Sequence, residues 1–140
     1  MQTPGLHWPA MNHPSVSYLI SDDVPTSSLP FSPAVTVGET IFVSGQASVD
    51  DDGNIVGDTF AGEFRRSIDN MKRILEAAGS GLDHVVQTRN YVRDPADLKE
   101  FNELYRECFK APYPARTTIT NCLPEVLKFE IECVAVKKIG

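Results

Sequence analysis

The sequence is poor in cysteine, in histidine and in net positive charge, and each shortage excludes a class of function. Its three cysteines are odd in number and show no C-x-x-C spacing, so neither a disulfide framework nor a zinc site is expected. The net charge of −6 and the pI near 5.0 give no attraction to phosphate backbones or anionic membranes. Nucleic acid is therefore disfavoured as a partner.

Long apolar runs and the motifs of several large enzyme families are also missing. No apolar stretch reaches the length of a membrane span, and the first residues do not resemble a signal peptide, so we expect a cytoplasmic, unanchored protein. Glycine-rich phosphate loops, H-E-x-x-H and G-x-S-x-G do not occur. His84 is the one histidine inside the expected domain core, so the sequence predicts a mechanism that works without histidine.

What is present predicts a single domain over residues 1–140. Residues 1–16 contain Pro4, Pro9 and Pro14 and have no hydrophobic period, so we expect an irregular extension there, with Trp8 as its large apolar side chain. The core of the domain is expected over about residues 17–138.

Hydrophobic periodicity predicts an α+β fold with two helices on one face of a sheet. The first helix is expected to begin after Asp58 or Thr59 and to end at Gly79, and the second to begin at Pro95 and to stop before Pro112. The expected strands are Ser17–Ile20, Ala34–Val37, Thr40–Ser44, Asn54–Gly57, Val85–Val92, Arg116–Thr120 and Phe129–Lys137.

The last strand predicts a second buried surface. One of its sides carries apolar residues alone, while the other carries Glu130, Glu132, Val134 and Val136. A sheet covered by helices on one side is normally polar on its other side. The two valines therefore indicate an oligomer interface, with Glu130 at its rim.

Charged side chains on the predicted strands are the candidate functional groups. Arg116 lies in one strand, and Glu130 and Glu132 lie in the next along the chain. An arginine presents paired donors that match a carboxylate, and a glutamate positions or deprotonates a water. The alternative is a salt bridge between Arg116 and Glu130 across neighbouring strands. The spacing alone does not decide between these interpretations.

Several short segments together resemble the RidA/YjgF family of reactive intermediate deaminases over about residues 30–137. Each segment is weak alone, and their shared order and spacing carry the resemblance. The segments are Pro30–Val35, Ile41–Gln46, Ser67–Asn70, Leu75–Gly79, Phe101–Tyr105, Pro114–Thr117 and Glu130–Ala135.

The resemblance implies a chorismate-mutase-like α+β fold, assembled as a trimer whose sheets form a central barrel with ligand sites in the clefts between subunits. It also implies hydrolysis of enamines and imines such as 2-aminoacrylate and 2-iminopropionate to 2-keto acids and ammonia, without a cofactor or a metal. It assigns carboxylate binding to Arg116 and water positioning to Glu130. The substrate-binding residues it implies are Phe31, Ser44, Gly45, Asn102 and Thr118.

Two positions depart from the family pattern. Phe31 stands where the family often has tyrosine and so lacks a hydroxyl, and Thr118 stands where cysteine or another small residue is frequent. These departures leave open a 2-aminomuconate-type deaminase of aromatic catabolism. A small-carboxylate-binding protein without turnover and an endoribonuclease are further alternatives, of which the acidic composition disfavours the second.

Overall fold

A mixed sheet of six strands with two helices on one face makes up residues 12–140, the part of the chain that the computed structural model describes. The strands are β1 (Val16–Tyr18), β2 (Ala34–Val37), β3 (Thr40–Ala47), β4 (Val85–Val92), β5 (Ala115–Thr120) and β6 (Phe129–Val136); the helices are α1 (Phe60–Ala77) and α2 (Leu98–Cys108). The predicted α+β fold class is confirmed. The expectation for Trp8 lies outside the described residues.

The order of the strands across the sheet is β1-β2-β3-β6-β4-β5. Neighbouring strands are antiparallel except β4 and β5, which are parallel because α2 connects them as a crossover. β4 therefore separates β5 from β6. The expectation that Arg116 and Glu130 lie on neighbouring strands is wrong for this reason.

α1 begins with a side-chain cap at Thr59, one of the two residues that the sequence predicts, whereas the cap at Asp94 lies one turn before α2. The Gly62 amide donates to Thr59 Oγ1 at 3.1 Å at the start of α1, and Gly79, with φ of +87°, follows its end. The Ala96 amide donates to Asp94 Oδ1 at 2.9 Å. That cap opens a 3₁₀ turn at Pro95–Asp97, and α2 begins one turn later than predicted.

The predicted strand at Asn54–Gly57 is absent from the sheet. Among the described residues, the only β-type pairing of this segment is a single bridge between Val49 and Ile55. β3 is already paired by β2 on one side and by β6 on the other, so it offers no free edge to a further strand.

The core between the helices and the sheet is rich in packed aromatic rings. Phe64 of α1, Phe101 of α2 and Phe129 of β6 lie with ring centroids 4.9 to 6.1 Å apart. The predicted apolar stripe of α1 is buried against these rings, as are the apolar side chains of β6 that face the helices. The two helices are therefore fixed on one side of the sheet.

A fully buried carboxylate ties the start of α1 to the start of β6. Glu63 Oε1 accepts from the Lys128 amide at 2.9 Å, and its Oε2 accepts from Lys128 Nζ and from the Asp58 amide, each at 3.3 Å. These donors compensate the desolvation of the charge. The chain entering β6 is thereby held in a fixed position.

The face of the sheet opposite the helices carries exposed apolar side chains. In the antiparallel register Phe42 of β3 lies opposite Val134 of β6, on the same side as Glu130 and Glu132. The exposed large residues of this face include Val37, Phe42, Ile119 and Val136. The apolar character of this face agrees with the sequence analysis, and its burial in an oligomer interface stays a prediction. No helix within residues 12–140 is long and apolar enough to cross a membrane.

Candidate functional site

Arg116 lies on the helix side of the sheet, at the edge strand β5. It pairs in register with Thr88 of β4, whose hydroxyl lies 2.8 Å from Tyr105 Oη on α2. Parallel neighbours in register point to the same face, so Arg116 reaches over α2. Its guanidinium carbon lies 4.9 Å from the ring centroid of Tyr105 and 5.1 Å from that of Phe101.

The aromatic rings orient the guanidinium without consuming its hydrogen-bonding capacity. Contact with two rings restrains the guanidinium group, and no hydrogen bond found within residues 12–140 takes up its N–H donors. None of the ion pairs found within residues 12–140 involves Arg116, so the alternative salt bridge to Glu130 does not form within the chain. Arg116, Asn102 and Tyr113 line a pocket of about 250 Å³, which is large enough for a small carboxylate.

A buried polar cluster lies beneath Arg116, between β4, β5 and α2. Asn90 Nδ2 donates to Thr88 Oγ1 at 3.0 Å, and burial raises the pKa of the Tyr105 hydroxyl on the other side of Thr88. Asn90 Oδ1 and Thr118 Oγ1, which belong to residues in register, are buried without a partner among the described residues. Buried oxygens of this kind are rare, because each unmade hydrogen bond costs about 1–3 kcal/mol.

Glu130 lies on the opposite face of the sheet, against the backbone of β3. A Cβ at Gly45 would approach its Cδ to 3.1 Å. The missing side chain at Gly45 therefore creates the space that the carboxylate occupies. A register irregularity in β3 between Val43 and Gln46 places Gly45 at this point of closest approach.

The environment of Glu130 favours its protonated form. Burial, and secondly the negative charge of Glu132, raise the pKa of the Glu130 carboxyl. Glu132 accepts from Tyr91 Oη at 2.5 Å and lies 3.6 Å from Arg89 Nη1, and this hydrogen bond raises the pKa of Tyr91 to about 12. A carboxyl group whose pKa is raised in this way is a candidate for proton transfer.

Ser44 fixes the segment that carries Phe31. Its hydroxyl donates to the Ser32 carbonyl at 2.5 Å, and its amide donates to the Pro33 carbonyl at 3.0 Å. The hydroxyl hydrogen of Ser44 is therefore engaged within the chain. Phe31 is half exposed and lines a cavity of about 490 Å³ together with Gly45 and Glu130.

The residues predicted for one site fall into two groups. Arg116, Asn102 and Thr118 belong to β5 and α2 on the helix side, whereas Phe31 and Gly45 lie beside Glu130, and Ser44 precedes Gly45 in β3. Glu130 and Ile119 both pair with Tyr91, so they are level with each other and two strands apart. Arg116 precedes Ile119 on β5, and the strand spacing and the rise per residue therefore place its Cα about 14 Å from that of Glu130. A single chain does not bring both groups to one small substrate.

The sequence interpretation missed the aromatic support of Arg116. Neither Phe101 nor Tyr105 was named there as a site residue. Their spacing of four residues, which places both on one helix face, is a signal that could have indicated a shared platform. No cluster of three or more metal-ligating side chains occurs within the described part of the chain.

An arginine stacked on aromatic rings and a half-buried glutamate with a raised pKa, carried by opposite faces of one mixed sheet, define an α+β protein with a candidate small-molecule site in two parts. The family described as endoribonuclease L-PSP matches residues 22–137, and the chain belongs to this family, that of the RidA and YjgF proteins.

Three relatives illustrate the similarity. The chain is 38% identical over 110 residues to the human protein named 2-iminobutanoate/2-iminopropanoate deaminase, covering 77% of this chain and 80% of that one. RidA from an Antarctic Psychrobacter species is 30% identical with a TM-score of 0.79, covering 86% and 98% of the two chains. TdcF of E. coli, solved with bound serine, is 30% identical with a TM-score of 0.77, covering 87% and 99%.

Proposed function

We propose that this protein hydrolyses enamines and imines of the 2-aminoacrylate and 2-iminopropionate type to 2-keto acids and ammonia. The observation that carries the proposal is an arginine held ready on two aromatic rings beside a pocket, with its donors free for a carboxylate. The raised pKa of Glu130 supplies a group for proton transfer. The name of the human relative supports this reaction.

The proposed active site is shared between copies of the chain. Substrates of this class place the carboxylate one bond from the reacting carbon, while about 14 Å separates Arg116 from Glu130 within one chain by strand geometry. A neighbouring copy that packs against the exposed apolar face closes this gap. We propose a homotrimer with three such clefts, because a closed cyclic assembly repeats one interface around its axis.

The proposed mechanism assigns one step to each group. Arg116 holds the substrate carboxylate while an enamine gains a proton at carbon and becomes an imine. A water held by Glu130 of the neighbouring copy adds to the imine carbon, and one proton of this water passes through the carboxyl group to the nitrogen. The C–N bond of the carbinolamine then breaks, ammonia leaves and the carbonyl forms. No step of this proposed mechanism uses a metal or a cofactor.

The alternatives receive less support. An endoribonuclease needs a basic surface, but the arginines on α1 are paired with acids: Arg65 with Glu107, and Arg73 with Asp51. A binding protein without turnover has no need of a glutamate with a raised pKa. The cytoplasmic location remains a prediction from the sequence.

The test of the reaction couples the protein to a serine or threonine dehydratase in the presence of semicarbazide, which traps the free imine. We expect wild type to lower the semicarbazone yield and to speed 2-keto acid release, and Arg116→Ala to abolish both effects. Arg65→Ala, which removes an exposed arginine of the helix surface, is the matched control. If wild type leaves the semicarbazone yield unchanged, the proposed reaction is wrong.

The test of the shared site mixes inactive subunits. Arg116→Ala and Glu130→Gln proteins are unfolded together at equal amounts and refolded. A cleft is intact when the Glu130→Gln chain supplies its Arg116 and the Arg116→Ala chain supplies its Glu130. Because each side of a cleft is taken at random from the two chains, about a quarter of the clefts are intact. Recovery of about a quarter of the wild-type rate is expected. A mixture as inactive as its components would contradict a site shared between copies.

A further inference from the structure

The cavity beside Glu130 is larger and more apolar than a small imino acid requires. A substrate of six heavy atoms, even at the roughly 30 Å³ that each water occupies in the liquid, fills no more than about 180 Å³. The cavity measures about 490 Å³. Its apolar lining includes Leu19, Ile20, Leu29, Phe31, Ile55 and Leu127.

Glu130 is the only charged residue in the lining of this cavity within residues 12–140. A second carboxylate on the substrate would there meet an apolar wall, and the cavity lining within residues 12–140 holds no cation to compensate its desolvation. The cavity therefore disfavours dicarboxylates such as 2-aminomuconate. It favours an uncharged, apolar substituent that extends away from the reacting carbon.

The segment from Leu19 to Leu29 supplies one side of the cavity, called here its outer wall, and this segment is held in place by hydrogen bonds. Arg73 donates from Nε and Nη2 to the Asp23 carbonyl, at 3.1 and 2.8 Å, and its Nη1 lies 2.8 Å from Asp51 Oδ1. The Thr26 amide donates to the Asp51 carbonyl at 3.1 Å, and a Cβ at Gly53 would meet the Thr26 carbonyl oxygen at 2.4 Å. The segment that carries the wall is therefore docked closely on the turn after β3.

The wall leaves much apolar surface uncovered. Ile20 is 94% exposed, Leu29 is 65% exposed and Ile55 is 50% exposed, although all three lie around one concave space. Covering such a surface with a ligand is favourable in proportion to the apolar area removed from water.

We propose that this cavity binds the side chain of the substrate, and that the preferred substrates are imines of 2-keto acids with large apolar side chains of branched or aromatic type. The inference rests on the proposed imine hydrolysis and refines its substrate class. Arg116 holds the carboxylate, Glu130 lies at the reacting carbon, and the wall around Leu29 contacts the side chain.

The test generates imines from alanine, leucine and phenylalanine with an amino-acid oxidase, at matched oxidase flux, and measures the fall in semicarbazone for each. We expect kcat/KM for the leucine-derived imine to exceed that for the alanine-derived imine by about tenfold or more, within the range that apolar pockets achieve. Leu29→Ser and Ile55→Ser are expected to reduce this ratio about tenfold. Ile139→Ser, an exposed apolar residue away from the cavity, is the control and leaves the ratio unchanged.

A binding measurement separates this inference from the proposed reaction. Calorimetric titration of wild type is expected to give about tenfold tighter binding of 4-methyl-2-oxopentanoate than of pyruvate, and Leu29→Ser removes the difference. If no imine is hydrolysed but this preference holds, the reaction is wrong and the apolar ligand class stands. If imines are hydrolysed without a size preference, the inferred substrate class is wrong and the proposed reaction stands. The same conclusion follows if Leu29→Ser dissociates the assembly, because a neighbouring copy then covers the wall.

Discussion

The two halves of the candidate site hold their charged groups in opposite ways. Arg116 is exposed and rests on Phe101 and Tyr105, which orient its charge without neutralising it. Glu130 is half buried in a space that Gly45 leaves open, where burial and Glu132 raise its pKa. Under the proposed function, the arginine half binds the substrate carboxylate and the glutamate half moves a proton.

The largest expected effect comes from removing the proton carrier. Glu130→Gln keeps the shape of the side chain but cannot accept a proton, so kcat is expected to fall about 1000-fold, within the range for general acid–base groups. Single-turnover hydrolysis of dehydratase-generated imine measures this change. Binding of pyruvate should persist, and its loss would show that Glu130 binds the substrate instead.

The same substitution should stabilise the folded protein at neutral pH. The pKa of Glu130 is raised in the folded protein. Its favourable contribution to the free energy of unfolding is therefore complete below the unfolded-state pKa, and it is lost as the pH rises through the folded-state pKa. Glutamine does not lose a proton. Glu130→Gln should therefore have a higher Tm than wild type at neutral pH and the same Tm at low pH, as measured by thermal denaturation.

Arg116→Lys tests the arginine half with the charge retained. Lysine lacks the paired donors, so kcat/KM is expected to fall about 100-fold, mostly through weaker substrate binding. The semicarbazide competition assay and pyruvate titration together measure the two contributions. An unchanged affinity for pyruvate would contradict the assignment of Arg116 to the carboxylate.

Gly45→Ala tests the packing of the glutamate half. Because the new Cβ lies 3.1 Å from Cδ of Glu130, the carboxylate must shift by a fraction of an ångström, and kcat is expected to fall about tenfold. Gly57→Ala is the matched control, since an added Cβ there has nothing within 4 Å. Equal activity of the two variants would show that this close approach has no role.

Replacing Tyr105 tests the aromatic support of Arg116. Tyr105→Leu removes one ring from the stack and is expected to lower kcat/KM about fivefold, corresponding to about 1 kcal/mol of cation–π interaction. Tyr105→Phe keeps the ring and loses the bond to Thr88, so about 1 kcal/mol of stability is lost while activity persists. Denaturant unfolding and the kinetic assay separate the two effects.

The smallest expected change is a shift in pH dependence. Glu132→Gln removes the like charge beside Glu130, so the Glu130 pKa falls toward its ordinary value. The limb of the pH–kcat profile that reports Glu130 should move to lower pH, with the maximal rate preserved. If the pH profile does not move, burial alone raises the pKa of Glu130.

The sequence predicted the helices, the caps and nearly all strands because these depend on local patterns. Thr59, Gly79 and Asp94 act where the helical periods begin or end. The order of strands could not be read in this way, because pairing β6 with both β3 and β4 depends on contacts distant in sequence. Without that order, Arg116 and Glu130 could not be assigned to opposite faces.

The roles of the site residues were taken from a resemblance, and the surroundings of these residues came from the structure. No local pattern shows that Gly45 makes room for Glu130, since the two are brought together only by the register of β3 and β6. Nor does a pattern show that the Ser44 hydroxyl is engaged by the Ser32 carbonyl. Both facts require the three-dimensional fold.

The position of β6 governs how the chain matures. β6, Phe129–Val136, fills the middle of the sheet, so the sheet cannot close until this strand has left the ribosome. A chain that terminates early lacks this strand and exposes the unpaired edges of β3 and β4, which invite association with other chains. Synthesis therefore yields either a complete sheet or an aggregation-prone fragment, and the strand that carries Glu130 is the one that decides between them.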